Sequence, residues 1–186
     1  MIVIIVVVVV LLALVGFVVA GFNKLRTADI GAQEALGGID VQLTRRAELV
    51  PNLVQTVKGY AAHEKSVLDD VTRARTQVQQ AASSADVPAK AAADAALQQS
   101  LVRVNAVAEA YPDLKANAGF VDLQRQLAET ESQVAFARQY YNDAVATLNT
   151  LVATLPWLLL VGLAGVSQRE FYDAPAGQEA APGVEF

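Results

Sequence analysis

The one histidine of the chain, His63, precedes a glutamate in "HEKSV". A metalloprotease helix would carry a second histidine four residues on, so that two imidazoles on one face hold zinc while the glutamate acts as base. Position 67 is valine. With no cysteine in the chain, a zinc site would have to be completed by carboxylates alone, a poor donor set for that ion. Ser66 and Asp69 could formally complete a Ser-His-Asp set with His63. No strand–turn–helix elbow is there to present the serine. His63 therefore reads as a helix-flank residue. The carboxylate pairs Glu129/Glu131 and Asp69/Asp70 are too close in sequence to share a helix face. Di-iron bundles need Glu-x-x-His, which is absent, and no Gly-rich turn precedes a Lys at a helix start. "TRR" at Thr44–Arg46 could meet an anion. The simpler reading is a solvated face, or local ion pairs of its arginines with Glu48 or Asp40. No catalytic residue, metal ligand or cofactor site follows from these patterns.

What could position such groups is legible from hydrophobic spacing. Ile2–Phe22 carries no charge. At ~1.5 Å per residue it is roughly 30 Å long, enough to cross a hydrocarbon core. Its length and the lack of a preceding basic residue favour a retained signal-anchor over a cleaved signal. Lys24 and Arg26 follow at once, and the positive-inside rule predicts the N-terminus outside and the remainder in the cytoplasm. Gly16 and Gly21 are not four apart, so no GxxxG seam is expected. The net charge of −5 argues against a nucleic-acid partner.

Beyond the anchor, Leu25, Ala28, Ala32, Leu36, Ile39, Leu43 and Ala47 recur at helical steps. Gly37-Gly38 would let a neighbouring helix approach closely. Pro51 lacks the N–H that its helix needs, yet no turn residues surround it, so a kinked or nearly continuous helix is expected. The stripe runs on through Leu53, Val57, Tyr60, Ala61 and Glu64 to Val78. "AASSADVPAK" (81–90) marks a turn, with Ser84 or Asp86 as cap. A helix over about 89–110 carries Ala93, Leu97, Leu101, Val104 and Ala108. A second turn follows at 111–119. The cleanest seam is Phe120, Leu123, Leu127, Thr130, Val134, Ala137, Tyr141, Ala144, Leu148, Leu151 and Leu155, a heptad-like pattern of the kind used in bundles and coiled coils. Pro156 ends it.

These readings predict an all-α protein: an N-terminal transmembrane helix followed by an antiparallel bundle of three to four long helices. The expected division is an anchor over 1–23, a bundle over 24–155, an apolar segment over 156–166 and a flexible acidic tail over 167–186. The apolar segment either caps the bundle or lies at the membrane interface, with Trp157 at headgroup level. Buried polar groups are expected to set helix register. Asn52 would repair the carbonyl that Pro51 leaves bare or reach another helix, with Glu64 and Thr130 in core registers and Asn142, beside Tyr140 and Tyr141, as a partner.

At "IDVQLTRRAELVPNLVQTVKGYAAHE" (39–64) the chain resembles the LemA family of bacterial membrane proteins. "LDDVTRAR" (68–75), the stretch from Ala110 to Val145 and "QREFYDAP" agree in the same order. The chain departs from the family pattern at Gly37-Gly38, where a Trp usually stands. The resemblance implies an N-terminal transmembrane helix and a helical bundle exposed to the cytoplasm, and it supplies no reaction.

The function expected from all of this is a membrane-anchored helical scaffold or interaction protein of the bacterial envelope. It is not an enzyme, needs no cofactor, and has the bilayer, other proteins and further copies of itself as expected partners. Pro51, Asn52, Glu64, Arg46, Tyr141, Asn142 and Trp157 are the candidate structural or interaction residues. The alternatives are engagement of lipid or membrane shape through Trp157 and its neighbours, and a membrane-bound hydrolase built on polar residues near Pro51.

Overall fold

A computed structural model of the chain describes residues 1–172. The C-terminal part of the expected acidic tail lies outside the described residues. Among the described residues there is no strand. The helices are α1 (Ile2–Lys58), α2 (Lys65–Ala82), α3 (Val87–Ala110), a single turn α4 (Pro112–Lys115) and α5 (Ala118–Ala153). A 3₁₀ turn (Trp157–Leu160) and the short α6 (Val161–Ala164) follow. The all-α expectation agrees with this architecture.

Two compact units share the long helices: Met1–Leu36 with Tyr140–Glu170, and Gly37–Gln139 with the residues from Phe171. In the second unit the helices run up and down. Arg75 of α2 meets Ala47 of α1, whereas Asp40 and Arg46 of α1 meet Lys90 and Asp94 of α3 in ascending order. α2 is therefore antiparallel to α1, and α3 parallel to it. On α5, Gln124 bonds Asn105 and Arg138 pairs with Asp94, so α5 returns antiparallel to α3. The result is a four-helix bundle made by the α1 segment from Gly37, α2, α3 and the first part of α5.

Local sequence explains where the helices start and stop. Asp86 caps α3 by accepting a bond from the Ala89 N–H at 3.0 Å, with Pro88 in the first turn, where a missing N–H costs nothing. Asn117 does the same for α5 through the Phe120 N–H at 2.9 Å. α2 buries Leu68, Val71, Ala74, Val78 and Ala81, a stripe at steps of three and four.

The continuous stripe expected from Leu53 to Val78 is corrected by a break. α1 ends at Lys58, and the chain turns over 59–64 before α2 starts at Lys65. Gly59, Tyr60 and Ala61 close the last turn onto Thr56 and Val57, the loosening expected where a glycine ends a helix. Apolar residues keep helical spacing across this turn because both sides face the same core, so periodicity does not register it. Pro51, by contrast, sits inside α1, in line with the expected continuity.

In the first unit, Ala28 and Gly31 of α1 flank the same groove as Ala144 and Thr147 of α5. Beyond the end of α5 the chain bends by 86° into the 3₁₀ turn and α6. Gly165, at φ 62°, ends α6 in the left-handed region, where a side chain would be strained. The following residues turn back along α5. Asn149 and Arg169 exchange two bonds, each 2.9 Å, between the asparagine amide and the Arg169 backbone. Tyr141 donates to the Glu170 carbonyl at 2.9 Å.

The α5 seam is buried or half-buried from Phe120 to Leu151, but Leu155, its last expected member, is 70% exposed. Gly37 and Gly38 do not serve a close approach: a Cβ on either would meet nothing within 4 Å. The tightly packed glycine is Gly21, where a Cβ would collide with the Leu160 side chain and fall 3.1 Å from the Trp157 ring.

Candidate functional site

The most concentrated chemistry is a buried cluster inside the second unit. α3 presents Lys90, Ala93, Asp94, Leu97, Leu101, Val104 and Ala108 as one buried stripe, so two ionisable residues occupy positions that an amphipathic helix normally gives to apolar ones. Asp94 is fully buried, and its carboxylate accepts from three sides. Arg46 Nη1 donates to Oδ1 at 3.1 Å, Arg138 to Oδ2, and the buried Tyr172 hydroxyl to Oδ2 at 3.3 Å. Arg46, only 2% exposed, also bonds Gln98 and pairs with Glu131 at 2.6 Å. The Arg138 guanidinium carbon lies 5.5 Å from the Tyr172 ring centroid, within cation–π reach. Two cations thus face two anions. A balanced, hydrogen-bonded set is the form in which buried charge is tolerated.

Nearby, the buried Lys90 ammonium is shared between the Asp40 carboxylate and the Ala82 carbonyl, the latter at 3.1 Å. It ties α3 to α1 and to the end of α2. Arg46 and Lys90 both reach from one helix to others, so a slip of one helical step would leave a charge buried without a partner. Such a penalty would favour this register over its neighbours.

Arg75 performs a different repair. Proline at position 51 supplies no N–H to the carbonyl of Ala47, four residues back. Ala47 is fully buried, and Arg75 Nε donates to that carbonyl at 3.2 Å. A side chain of α2 thus replaces the missing helical bond of α1, in a position where an orphaned carbonyl would be costly.

The candidate residues divide accordingly. Arg46 enters the cluster instead of the solvated face expected for "TRR"; Arg45 is the exposed one. Asp40, one expected local partner, holds Lys90. Asn52 is exposed, while Glu64 is half-buried and accepts from the Tyr111 hydroxyl at 3.2 Å. Thr130 is buried and bonds its own helix at Leu127. Asn142 is half-buried, and Tyr141 is buried in the first unit. Burial raises the ionisation of Tyr141 above its ordinary value, Arg169 opposes the shift and Glu170 adds to it.

Sequence reasoning missed Asp94, Lys90, Arg138 and Arg75. A signal for the first two was present: positions 90 and 94 fall in phase with the apolar seam that continues at Leu97 and Leu101. No comparable signal links Arg75 to Ala47.

The surface features are open. One groove of about 700 Å³ is lined by Asp40, Val41, Thr44, Arg45, Glu48 and neighbouring residues of α2. Among the described residues, no three of His, Cys, Asp and Glu converge where they could hold a metal ion. His63 lies exposed in the α1–α2 turn.

A long apolar helix and a helical bundle with charge inside it define a membrane-associated helical protein. Residues 35–186 match the LemA family model, and the chain belongs to the LemA family. Its sequence is also similar to relatives that include Magnetosome protein MamQ 2 of Paramagnetospirillum magneticum and Magnetosome protein MamQ of Magnetospirillum gryphiswaldense. The one from Paramagnetospirillum magneticum is 25% identical over 180 residues, covering 84% of this chain and 66% of the relative. The one from Magnetospirillum gryphiswaldense is 24% identical over 193 residues, covering 89% and 71%. The chain thus spans just under two thirds of the first relative's length.

Proposed function

We propose that the protein is a membrane-anchored, non-enzymatic scaffold whose bundle carries protein contacts, including contacts with further copies of itself. One observation carries this reading: the second unit sets ionisable side chains into an otherwise apolar core while leaving large apolar ones at its surface. It holds Arg46, Lys90 and Asp94 in its interior and leaves Phe136 78%, Val41 63% and Val102 58% exposed. A core tied together by ion pairs suits a rigid platform, and exposed aromatic and aliphatic side chains are the usual anchors of interfaces. Anchoring confines the copies to a surface, which raises the effective concentration of weak lateral contacts. Lys24 and Arg26, just beyond the apolar block, favour a cytoplasmic bundle under the positive-inside rule. The relatives' names tie them to magnetosomes, and a scaffold bound to a membrane compartment is compatible with that association.

The test is sedimentation of the full chain in detergent over a wide concentration range, alongside the Phe136→Ser variant. The expected outcome is self-association that grows with concentration and weakens in the variant. A monomer at every concentration would remove self-assembly from the proposal.

A further inference from the structure

The first unit carries an apolar shelf at the base of the anchor. The Trp157 ring stacks on Phe17, with centroids 5.9 Å apart and planes 14° apart. The Lys24 ammonium lies 4.6 Å from the centroid of the same ring. Phe17 is inside the uncharged block and Lys24 just beyond it, so one indole brackets the place where the anchor leaves hydrocarbon. At ~1.5 Å per residue, Phe17 sits roughly 7 Å inside the end of that block at Phe22. Gly21 lets the shelf approach this closely, since any side chain there would collide with Leu160 and Trp157.

The shelf has two faces. Leu160, Ala164 and Val166 are buried, whereas Leu155 is 70%, Leu158 49%, Leu159 74% and Leu163 65% exposed. The exposed leucines are crowded into one nine-residue stretch that runs through the turn after α5, the 3₁₀ turn and α6. From Ala144 to Gln168 the chain has no ionisable side chain; the next is Arg169, which pairs with Asp29 at 2.8 Å. A soluble helical surface would carry charge along such a stretch. Contiguous exposed leucine without charge, beside an indole stacked on the anchor and a lysine at the boundary, is the composition of a segment seated among headgroups and upper acyl chains.

We infer that residues 155–163 are a second membrane contact: a half-immersed shelf whose leucine face enters the leaflet at the C-terminal end of the anchor. The occupant of that face is lipid, because the shelf is packed on the part of α1 that lipid surrounds. Anchor and shelf together give the membrane two footholds, one spanning and one lying flat. The second restricts tilt and rotation of the end of α5 in a way that a lone spanning helix cannot. The inference rests on α1 crossing the membrane and is independent of any scaffolding role.

The absence of native cysteine allows a site-specific test. Full-length chain carrying Leu159→Cys or Leu163→Cys is spin-labelled and reconstituted in vesicles of phosphatidylethanolamine and phosphatidylglycerol. Collision rates with oxygen, which concentrates in lipid, are compared with those of a water-soluble nickel chelate. Labels at Val10→Cys and Glu129→Cys serve as the lipid and water references. Labels at 159 and 163 are expected to favour oxygen as Val10 does, the reverse of Glu129. A preference for nickel at both positions overturns the inference. So does exclusion of both reagents together with dipolar broadening, which would place a second copy of the chain on the leucine face. A Val10 label that itself favours nickel would instead show that the anchor is not in the bilayer, and the inference would fall with it.

Discussion

The two units solve opposite problems. The first, Met1–Leu36 with Tyr140–Glu170, is poor in charge and leaves much of its apolar surface uncovered. The second encloses charge and exposes apolar side chains only at scattered points. On the reading proposed above, the difference follows from the solvent that each part meets. Next to a bilayer, exposed leucine is inexpensive and charge is not. The buried stripe of the second unit is mostly leucine and valine with alanines between them, and Arg46, Lys90 and Asp94 are set into it. Their ion pairs would penalise a slipped alignment more steeply than apolar contacts alone. An ionisable residue in phase with an apolar seam is therefore to be read as a register pin before it is read as a catalyst.

The sharpest way to break the contrast is to remove the centre of the ionic core. Asp94→Ala takes the buried carboxylate from both Arg46 and Arg138 and leaves Arg46 only the part-exposed Glu131; a cost of about 3–5 kcal/mol is expected, measured by denaturant unfolding of the full chain in detergent. A loss below about 1 kcal/mol would mean that water reaches the cluster, and the comparison between the units would weaken.

Next in size is the proline repair. Arg75→Ala leaves the Ala47 carbonyl bare and is expected to cost about 1–3 kcal/mol. Pro51→Ala restores the helical N–H, so the same Arg75→Ala change made in that background is expected to cost far less. The four proteins form a double-mutant cycle. Equal losses in both backgrounds would show that Arg75 acts elsewhere.

Smaller again is Tyr141 in the first unit. Tyr141→Phe removes the bond to the Glu170 carbonyl, with an expected loss of about 1 kcal/mol at neutral pH. The folded phenol, raised by burial, keeps its proton where an unfolded tyrosine, with a pKa of about 10, has lost it. Its contribution is therefore complete below the unfolded value and disappears as pH rises through the folded one. Between the unfolded value of about 10 and the higher folded one, wild type should lose stability more steeply than Tyr141→Phe, and parallel profiles there would contradict this.

The smallest effect is expected at Asp122. Arg125 chiefly, then Gln126, holds its carboxyl below the ordinary carboxylate range. Any contribution is present above the unfolded value and lost as pH falls through the folded one. The pair is at the surface, where screening removes most of its worth. Asp122→Asn should leave the unfolding midpoint unchanged at neutral pH, and a clear shift would give surface charge a weight that the comparison denies it.

Helix types, the long apolar N-terminal helix and the α5 seam were legible because each depends on spacing within one segment. Thr130 and Tyr141 could be placed in the core for the same reason. The turn at 59–64 was not, since apolar residues on both sides keep the same phase. Nor was the ionic core: Arg46 and Asp94 are 48 residues apart, and nothing local to either names the other. Tyr172 closes the cluster from the far end of the described chain.

By itself the sequence determined an apolar helix long enough to cross a bilayer, a set of amphipathic helices and where most of them end. Backbone hydrogen bonding and side-chain periodicity are local, and they act before any helix meets another. Tertiary structure alone decided that Asp94 would gather Arg46, Arg138 and Tyr172, that Arg75 would stand in for the donor missing at Pro51, and that Trp157 would lie against Phe17. Each of these requires groups distant along the chain to be held within a few ångströms, which only the packed helices can do.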